Sequence, residues 1–178
     1  MSFLLRVTVC DVVRECSTCT HFLVRCSGKS RYMGLLLTAF HKYCEGQRRA
    51  VMIKLLGKSD DVPYDTTVSV VPCMNVPFFI NLPMVRITDE KGNSLEIYIA
   101  GKDYASLTRA ISVLSPVLKM FFMLLEGRKF SPTEVVLADR ATSKDPLKIT
   151  LGMLAKKKSG LLEMDAAGVF FLIEVEYR

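Results

Sequence analysis

The sequence predicts an α+β fold in which a mainly antiparallel sheet packs with two principal helices, in a single domain over residues 1–178. Short runs rich in Val, Leu and Ile occur before, between and after two segments whose apolar residues have helical spacing. Strands grouped in this way favour α+β over an alternating β/α chain. Half of the residues are hydrophobic, which is enough for a buried core in one domain of this length.

The first third of the chain predicts a hairpin, a helix and a further strand. Residues 3–13 and 21–26 are typical of strands joined by a short polar link. Apolar residues three and four apart predict a helix over residues 32–47, with Ser30 as its N-cap and Gly46 at its end. Strands are predicted at residues 49–56 and 66–71, with a turn at 57–61 between them.

A second hairpin is predicted at residues 84–88 and 94–99, closed by the turn 89–93. In its second strand Leu95, Ile97 and Ile99 alternate with Glu96 and Tyr98. Such alternation predicts a sheet with one buried face and one face in water.

The strongest helical pattern covers residues 103–126 and ends at Gly127. Pro116 predicts a kink there, or a second helix with Ser115 as its cap. Lys119 and Pro116 interrupt its apolar run, so a buried helix is expected and not a membrane span. The remaining chain predicts a short capped helix at 131–134, a polar loop at 138–146, and strands at 147–154 and 169–177.

The chain carries six cysteines, five of them in its first quarter. No signal peptide is evident at its start, so we expect reduced thiols in the cytosol. Cys16 and Cys19 have the spacing of metal ligands, and Cys10, His21 and Cys26 are the nearest further candidates. No second pair follows them, so we predict no metal and no cofactor, and cysteines that pack as small hydrophobic side chains.

Catalytic motifs are lacking in the sequence. It holds two histidines and no Gly-x-Ser-x-Gly, so nucleophilic catalysis is not expected. The two Gly-Lys-Ser triplets, which begin at Gly28 and Gly57, lack the earlier glycine of a phosphate-binding loop. We interpret the first triplet as a turn and helix cap, and we predict that the protein is not an enzyme.

The formal net charge of +6 favours partners rich in phosphate, although it could also serve solubility alone. The basic clusters predict contacts with lipid head groups or with the RNA backbone, or else solvated loops. These clusters are Arg48 and Arg49, Arg128 and Lys129, and Lys156, Lys157 and Lys158.

An apolar segment between prolines is the candidate for self-association. It consists of Val76, Pro77, Phe78, Phe79 and Ile80. Such a segment could fold over the core of its own chain, or it could insert into a neighbouring subunit, since prolines lower the entropy lost on ordering.

The segment from Leu151 to Asp165, with its Lys-Lys-Lys and small-residue turn, resembles the corresponding part of rhabdovirus matrix proteins. The helix with Met33 and Gly34, the strand at 51–56 and the turn that starts at Leu56 follow in a similar order. The sequence has no Pro-Pro-x-Tyr motif and no lysine-rich arm before its first strand. It is therefore most similar to the short matrix proteins of plant-infecting members.

This resemblance implies a structural protein of the virion that assembles with itself, condenses the viral ribonucleoprotein and bridges it to an anionic membrane as a peripheral protein. It implies a location in the virion, the host cytoplasm and at the inner face of host membranes. The alternative is an RNA-binding viral accessory protein such as a silencing suppressor. An enzyme is the third hypothesis, which would need a cleft with convergent titratable groups.

Overall fold

The chain is described by a computed structural model at residues 2–11, 19–47, 49–58, 82–100, 103–127 and 146–177. These residues form a seven-stranded antiparallel sheet with three helices, which confirms the predicted α+β class. The strand predicted at 66–71, the short helix at 131–134 and nearly all of the loop at 138–146 lie outside the described residues.

The strands are β1 (Ser2–Asp11), β2 (Thr20–Ser27), β3 (Arg49–Lys58), β4 (Met84–Asp89), β5 (Ser94–Ile99), β6 (Gly160–Ala166) and β7 (Val169–Glu176). They occur in the order β3-β1-β2-β5-β4-β7-β6 across the sheet, and all neighbours are antiparallel. The helices are α1 (Ser30–Gly46), α2 (Tyr104–Leu125) and α3 (Pro146–Ala155).

Both predicted hairpins are confirmed. In β1–β2, Val9 pairs with Thr20, and the next cross-strand pair is a disulfide between Cys10 and Cys19. The expectation that every cysteine is reduced is therefore wrong for this pair, which adjacent antiparallel strands bring together. Cys26 and Cys44 are free and buried, as expected for small hydrophobic side chains.

The predicted range of helix α1 is close to the observed one, but the predicted cap residue differs from the observed cap residue. The cap residue is Lys29, and no side chain caps the first turn, so the prediction of Ser30 as N-cap is wrong. The Lys29 amide donates instead to the Asn93 side chain, 2.9 Å away. Gly28 has a φ of +92°, and a Cβ there would lie 2.2 Å from the same Asn93 oxygen, so only glycine fits.

Helix α2 is continuous through Pro116, so the predicted second helix capped by Ser115 is wrong. The Asp103 carboxylate caps its start by accepting from the Ser106 amide at 2.7 Å. By length and composition, α2 is the one helix among the described residues that could cross a membrane. Most of it is buried against the sheet and the other helices, as expected for the central helix of a packed core.

Helix α3 replaces the strand predicted at residues 147–154, and that prediction is wrong. Leu147, Leu151 and Leu154 are buried, and their spacing of four and three residues places them on one helical face. Strand β6 was not predicted from the sequence pattern. It forms a hairpin with β7 across a turn at Ala167 and Gly168.

The helices pack on one face of the sheet, around Phe22, Phe40, Phe121 and Phe171. We call this the helical face and the opposite one the outer face. The prediction of an outer face in water is wrong at β5, because Glu96 and Tyr98 are both buried. A charged side chain so placed needs ionic partners, and Glu96 has them in Arg25 and Arg86.

Candidate functional site

The predicted lysine cluster forms the end of α3. Lys156, Lys157 and Lys158 are exposed, and none of them pairs with an acid among the described residues. The Lys157 amide donates to the Leu154 carbonyl at 3.1 Å, and the Lys158 amide donates to the Met153 carbonyl at 2.9 Å. These two bonds form a Schellman motif, which terminates the helix and turns the chain toward β6.

The Schellman motif places Lys157 in the left-handed region, with a φ of 57°. Glycine is the usual residue at this position, and a residue with a Cβ costs about 1 kcal/mol more. A lysine here thus adds positive charge at the expense of stability. Cations near a helix carboxyl end also interact well with its dipole, by about 0.3–1 kcal/mol each, so part of that cost is offset locally.

Beside the lysines lies a small cleft between the start of α2 and the end of α3, with a volume of about 200 Å³. Tyr104, Leu107 and Ile111 give it an apolar wall, and Lys157 lies at its border. Tyr104 is 79% exposed, the highest value among the large hydrophobic side chains described. We call Lys156, Lys157, Lys158 and Tyr104 the cationic end, because the cleft brings the tyrosine beside the lysine turn.

The structure places Arg49, another of the predicted basic residues, away from this surface. Arg49 begins β3, and its guanidinium lies 5.8 Å from the centre of the Tyr43 ring. Since β3 and β6 are the two outer strands, Arg49 and the lysine turn belong to opposite edges of the sheet. The role predicted for Arg49 in binding a membrane or a ribonucleoprotein stays a prediction. Arg48, Arg128 and Lys129 lie outside the described residues.

The apolar segment predicted for self-association also lies outside the described residues. It comprises Val76, Pro77, Phe78, Phe79 and Ile80. Its role stays a prediction.

A network of charges crosses four strands on the outer face. Glu96 accepts from Arg25 at 2.7 Å and from Arg86 at 3.0 Å, and Arg86 also pairs with Glu174. Tyr98 donates to Glu96 at 2.9 Å. Burial alone would raise the pKa of Glu96, but Arg25 and the hydrogen bonds of Tyr98 and Arg86 outweigh it, so the pKa is lowered.

The same environment raises the pKa of Tyr98, because burial and the adjacent Glu96 charge both disfavour a phenolate. Near pH 7, Glu96 is therefore ionised and Tyr98 is neutral. Glu96 accepts hydrogen bonds from Arg25, Arg86 and Tyr98 in this state. Such a network holds strands together and offers no group that is poised to exchange a proton.

Cys16 lies outside the described residues, and the other candidate ligands around His21 form no metal site among the residues that are described. No cluster of three or more potential ligands occurs among the described residues, and Cys10 and Cys19 are bonded to each other. His21 Nδ1 lies 3.2 Å from the Thr8 hydroxyl, whereas the buried Nε2 has no partner. The adjoining cavity of about 20 Å³ has room for one water molecule. Burial and the Arg6 charge lower the pKa of His21, so the ring is neutral near pH 7.

Sequence reasoning missed Tyr104 and the charge network. Tyr104 follows the cap residue Asp103 directly, a position that leaves a side chain on the outside of a helix start. Nothing local shows that the lysine turn, about fifty residues later in the chain, packs beside it. The network could have been suspected from Arg25, Arg86 and Glu96, three charges within otherwise apolar strands.

The chain matches no model of a known protein family, no curated protein and no solved structure.

Proposed function

We propose that this protein is a viral matrix protein, a structural protein that assembles with itself, condenses a ribonucleoprotein and bridges it to an anionic membrane. It acts in the virion, the host cytoplasm and at the inner face of host membranes, without catalysis or a cofactor. The observation that carries the proposal is the cationic end, where three consecutive lysines are exposed and one of them, Lys157, borders a cleft together with the exposed Tyr104.

The chemistry of the cationic end suits a membrane surface. Each lysine near an anionic leaflet contributes about 1 kcal/mol of attraction. A tyrosine places its ring at the level of the head groups while its hydroxyl remains hydrated. Together, Lys156, Lys157, Lys158 and Tyr104 suit peripheral attachment, in which the protein lies on the bilayer and α2 keeps its place in the core.

The resemblance to rhabdovirus matrix proteins supports the assembly and ribonucleoprotein parts of the proposal. One of its supports is weaker than the sequence suggested, because residues 147–154 form a helix and not a strand. The lysine turn that follows this helix is retained, and its charges attract RNA phosphates by the same physics as lipid phosphates. A vesicle and a ribonucleoprotein can therefore compete for it.

Vesicle flotation tests the proposal. The triple variant Lys156→Gln, Lys157→Gln, Lys158→Gln is compared with wild type on vesicles of phosphatidylserine and phosphatidylcholine. The variant loses about 3 kcal/mol of electrostatic attraction to the anionic vesicle, so we expect it to bind roughly a hundredfold more weakly than wild type at low salt. The control is Arg31→Gln, Lys42→Gln, Lys91→Gln, which removes the same charge from α1 and the β4–β5 turn. We expect the control to bind much better than the lysine-turn variant.

Equal loss in both triple variants would show that only total charge matters, and the cationic end would then have no special role. No binding of wild type to anionic vesicles would reject the membrane part of the proposal. If wild type instead bound short RNA tightly as a discrete dimer, the RNA-binding accessory protein would replace the matrix protein.

A further inference from the structure

The cleft beside the lysine turn is large enough for part of a ligand. It has a volume of about 200 Å³, whereas a site that encloses a whole small molecule usually has about 300–1,000 Å³. The described residues that line it come from α2 and from the end of α3 with the lysine turn. A ligand bound here therefore keeps most of its structure outside the cleft.

The wall of the cleft is mostly aliphatic. Leu107 and Ile111 lie one turn apart on α2, and Ala155 belongs to the end of α3. Leu107 is part of the core and Ile111 packs against it, so the wall is fixed in place. The Thr108 hydroxyl donates to the Tyr104 carbonyl at 2.7 Å, so its proton is already engaged. The wall thus suits an apolar group and offers few hydrogen bonds to a polar one.

The border of the cleft is cationic. Lys157 is among the residues that line it, and Lys156 and Lys158, its neighbours in the chain, are exposed. No carboxylate occurs among the described residues that line the cleft. An anionic group at this border is therefore attracted by three lysines, while an apolar group attached to it can lie against the aliphatic wall.

We propose that the cleft binds one anionic phospholipid, with its phosphate at Lys157 and part of one acyl chain against Leu107 and Ile111. This inference rests on the membrane attachment proposed above. It adds a site for a single lipid to a surface that otherwise attracts the bilayer by charge and by one tyrosine ring. A nucleic-acid base suits the cleft less well, because the aliphatic wall would leave the donors and acceptors of its edge unpaired.

The chain and the charge of such a lipid contribute to affinity in different ways. Each methylene that leaves water strengthens binding about fourfold, so two or three of them strengthen it about tenfold or more. The attraction between phosphate and lysine is screened by salt, whereas the burial of a chain is not. Binding should therefore need both parts of the lipid and should persist in part at about 0.5 M NaCl.

Soluble short-chain lipids test the site without a bilayer. Dihexanoylphosphatidylserine is titrated below its critical micelle concentration and followed by NMR chemical shifts. We expect one lipid to bind per protein chain, with the largest shifts around Leu107, Ile111 and Lys157. Two control ligands each lack one part of the lipid: glycerophosphoserine has no acyl chain, and dihexanoylphosphatidylcholine has no net charge. Each should bind at least about tenfold more weakly.

A tryptophan that fills the cleft gives a second test. Thr108→Trp keeps all three lysines, and we expect it to lower the affinity for dihexanoylphosphatidylserine about tenfold. The matched control is Thr38→Trp on α1, because Thr38 is also exposed and its hydroxyl likewise donates to the carbonyl four residues earlier. Circular dichroism and thermal melting establish that both variants fold. If Thr108→Trp does not fold, Ala155→Trp fills the cleft from α3 and gives the same test.

The inference is overturned if wild type does not bind dihexanoylphosphatidylserine, if either control ligand binds as tightly, or if Thr108→Trp and Thr38→Trp bind it equally. It is also overturned if short single-stranded RNA, and not the lipid, binds in a way that Thr108→Trp weakens. Vesicle flotation separates the two proposals. Binding to anionic vesicles without binding of the soluble lipid would remove the lipid site and keep the membrane attachment, and the opposite result would remove the attachment and keep the site.

Discussion

The Tyr32 hydroxyl donates a 2.6 Å hydrogen bond to a carboxylate oxygen of Asp89, which joins the first turn of α1 to the turn between β4 and β5. Asp89 also accepts from the amides of Lys91 and Asn93 and from the Asn93 side chain, each at 2.9 Å. The Tyr32 ring packs on the edges of Phe121 and Phe171. One side chain therefore connects a helix, a hairpin turn and the aromatic core.

Replacement of Tyr32 by phenylalanine tests this connection. Tyr32→Phe keeps the ring contacts but removes the donor from a buried carboxylate, so we expect the free energy of unfolding to fall by about 1–2 kcal/mol in urea titrations. Tyr104→Phe is the matched control, because Tyr104 is 79% exposed, and its effect should stay within about 0.5 kcal/mol. Equal urea unfolding midpoints for Tyr32→Phe and Tyr104→Phe would mean that the hydrogen bond from Tyr32 to Asp89 adds nothing to stability.

Elements with one clear periodicity were predictable from the sequence. The hairpins and α1 and α2 have patterns that fit only a strand or only a helix. Residues 147–154 fit both, since Leu147, Ile149 and Leu151 alternate like a strand while Leu147, Leu151 and Leu154 have helical spacing. In the folded chain these residues pack against α2, β6 and β7, and this packing stabilises the helix over the strand. Such long-range contacts leave no local signal in the sequence.

The candidate site was predictable to a similar extent. Three consecutive lysines are visible in the sequence, and their exposure follows from the cost of burying charge. The proximity of Tyr104 depends on how α2 and α3 pack. Glu96 was expected in water because it alternates with apolar residues, yet Arg25 and Arg86 from adjacent strands allow its burial.

The charge network gives a second prediction. Glu96→Gln leaves Arg25, a mostly buried cation, without its closest carboxylate, so we expect a loss of about 3 kcal/mol in the free energy of unfolding. Glu163→Gln, on the exposed edge of β6, is the control and should change it by less than about 0.5 kcal/mol. A loss below about 1 kcal/mol for Glu96→Gln would show that the network contributes little.

The lowered pKa of Glu96 predicts how stability depends on acid. The folded pKa lies below the ordinary value of 4.5, so the stabilisation is complete above pH 4.5 and is lost as the pH falls through the folded pKa. The pKa of Asp89 is also lowered, from the ordinary value of 3.8, so the stabilisation from Asp89 is likewise lost as the pH falls. Melting temperatures below pH 4.5 should therefore decrease less steeply for Glu96→Gln than for wild type. Parallel curves would contradict this assignment.

The left-handed backbone at Lys157 predicts opposite changes in stability and binding. Lys157→Gly relieves a φ of 57°, so we expect about 1 kcal/mol of added stability together with weaker binding to anionic vesicles. Lys157→Ala removes the same charge but keeps a Cβ, so it should weaken binding equally and add no stability. If Lys157→Gly and Lys157→Ala have the same melting temperature, the backbone at this position is not strained. If both bind like wild type, Lys157 does not contribute to the surface.

The Cys10–Cys19 disulfide predicts sensitivity to reductant. The bond closes a short loop between β1 and β2, with a sequence separation of 9, and loop closure of this size gives about 2–3 kcal/mol. Reductant should lower the unfolding midpoint of wild type and leave the double variant Cys10→Ser, Cys19→Ser unchanged, while mass spectrometry of unreduced digests should find the two cysteines cross-linked. Recovery of both thiols in free form from protein purified without reductant would restore the expectation of a reduced pair, with β1 and β2 then held by their strand pairing alone.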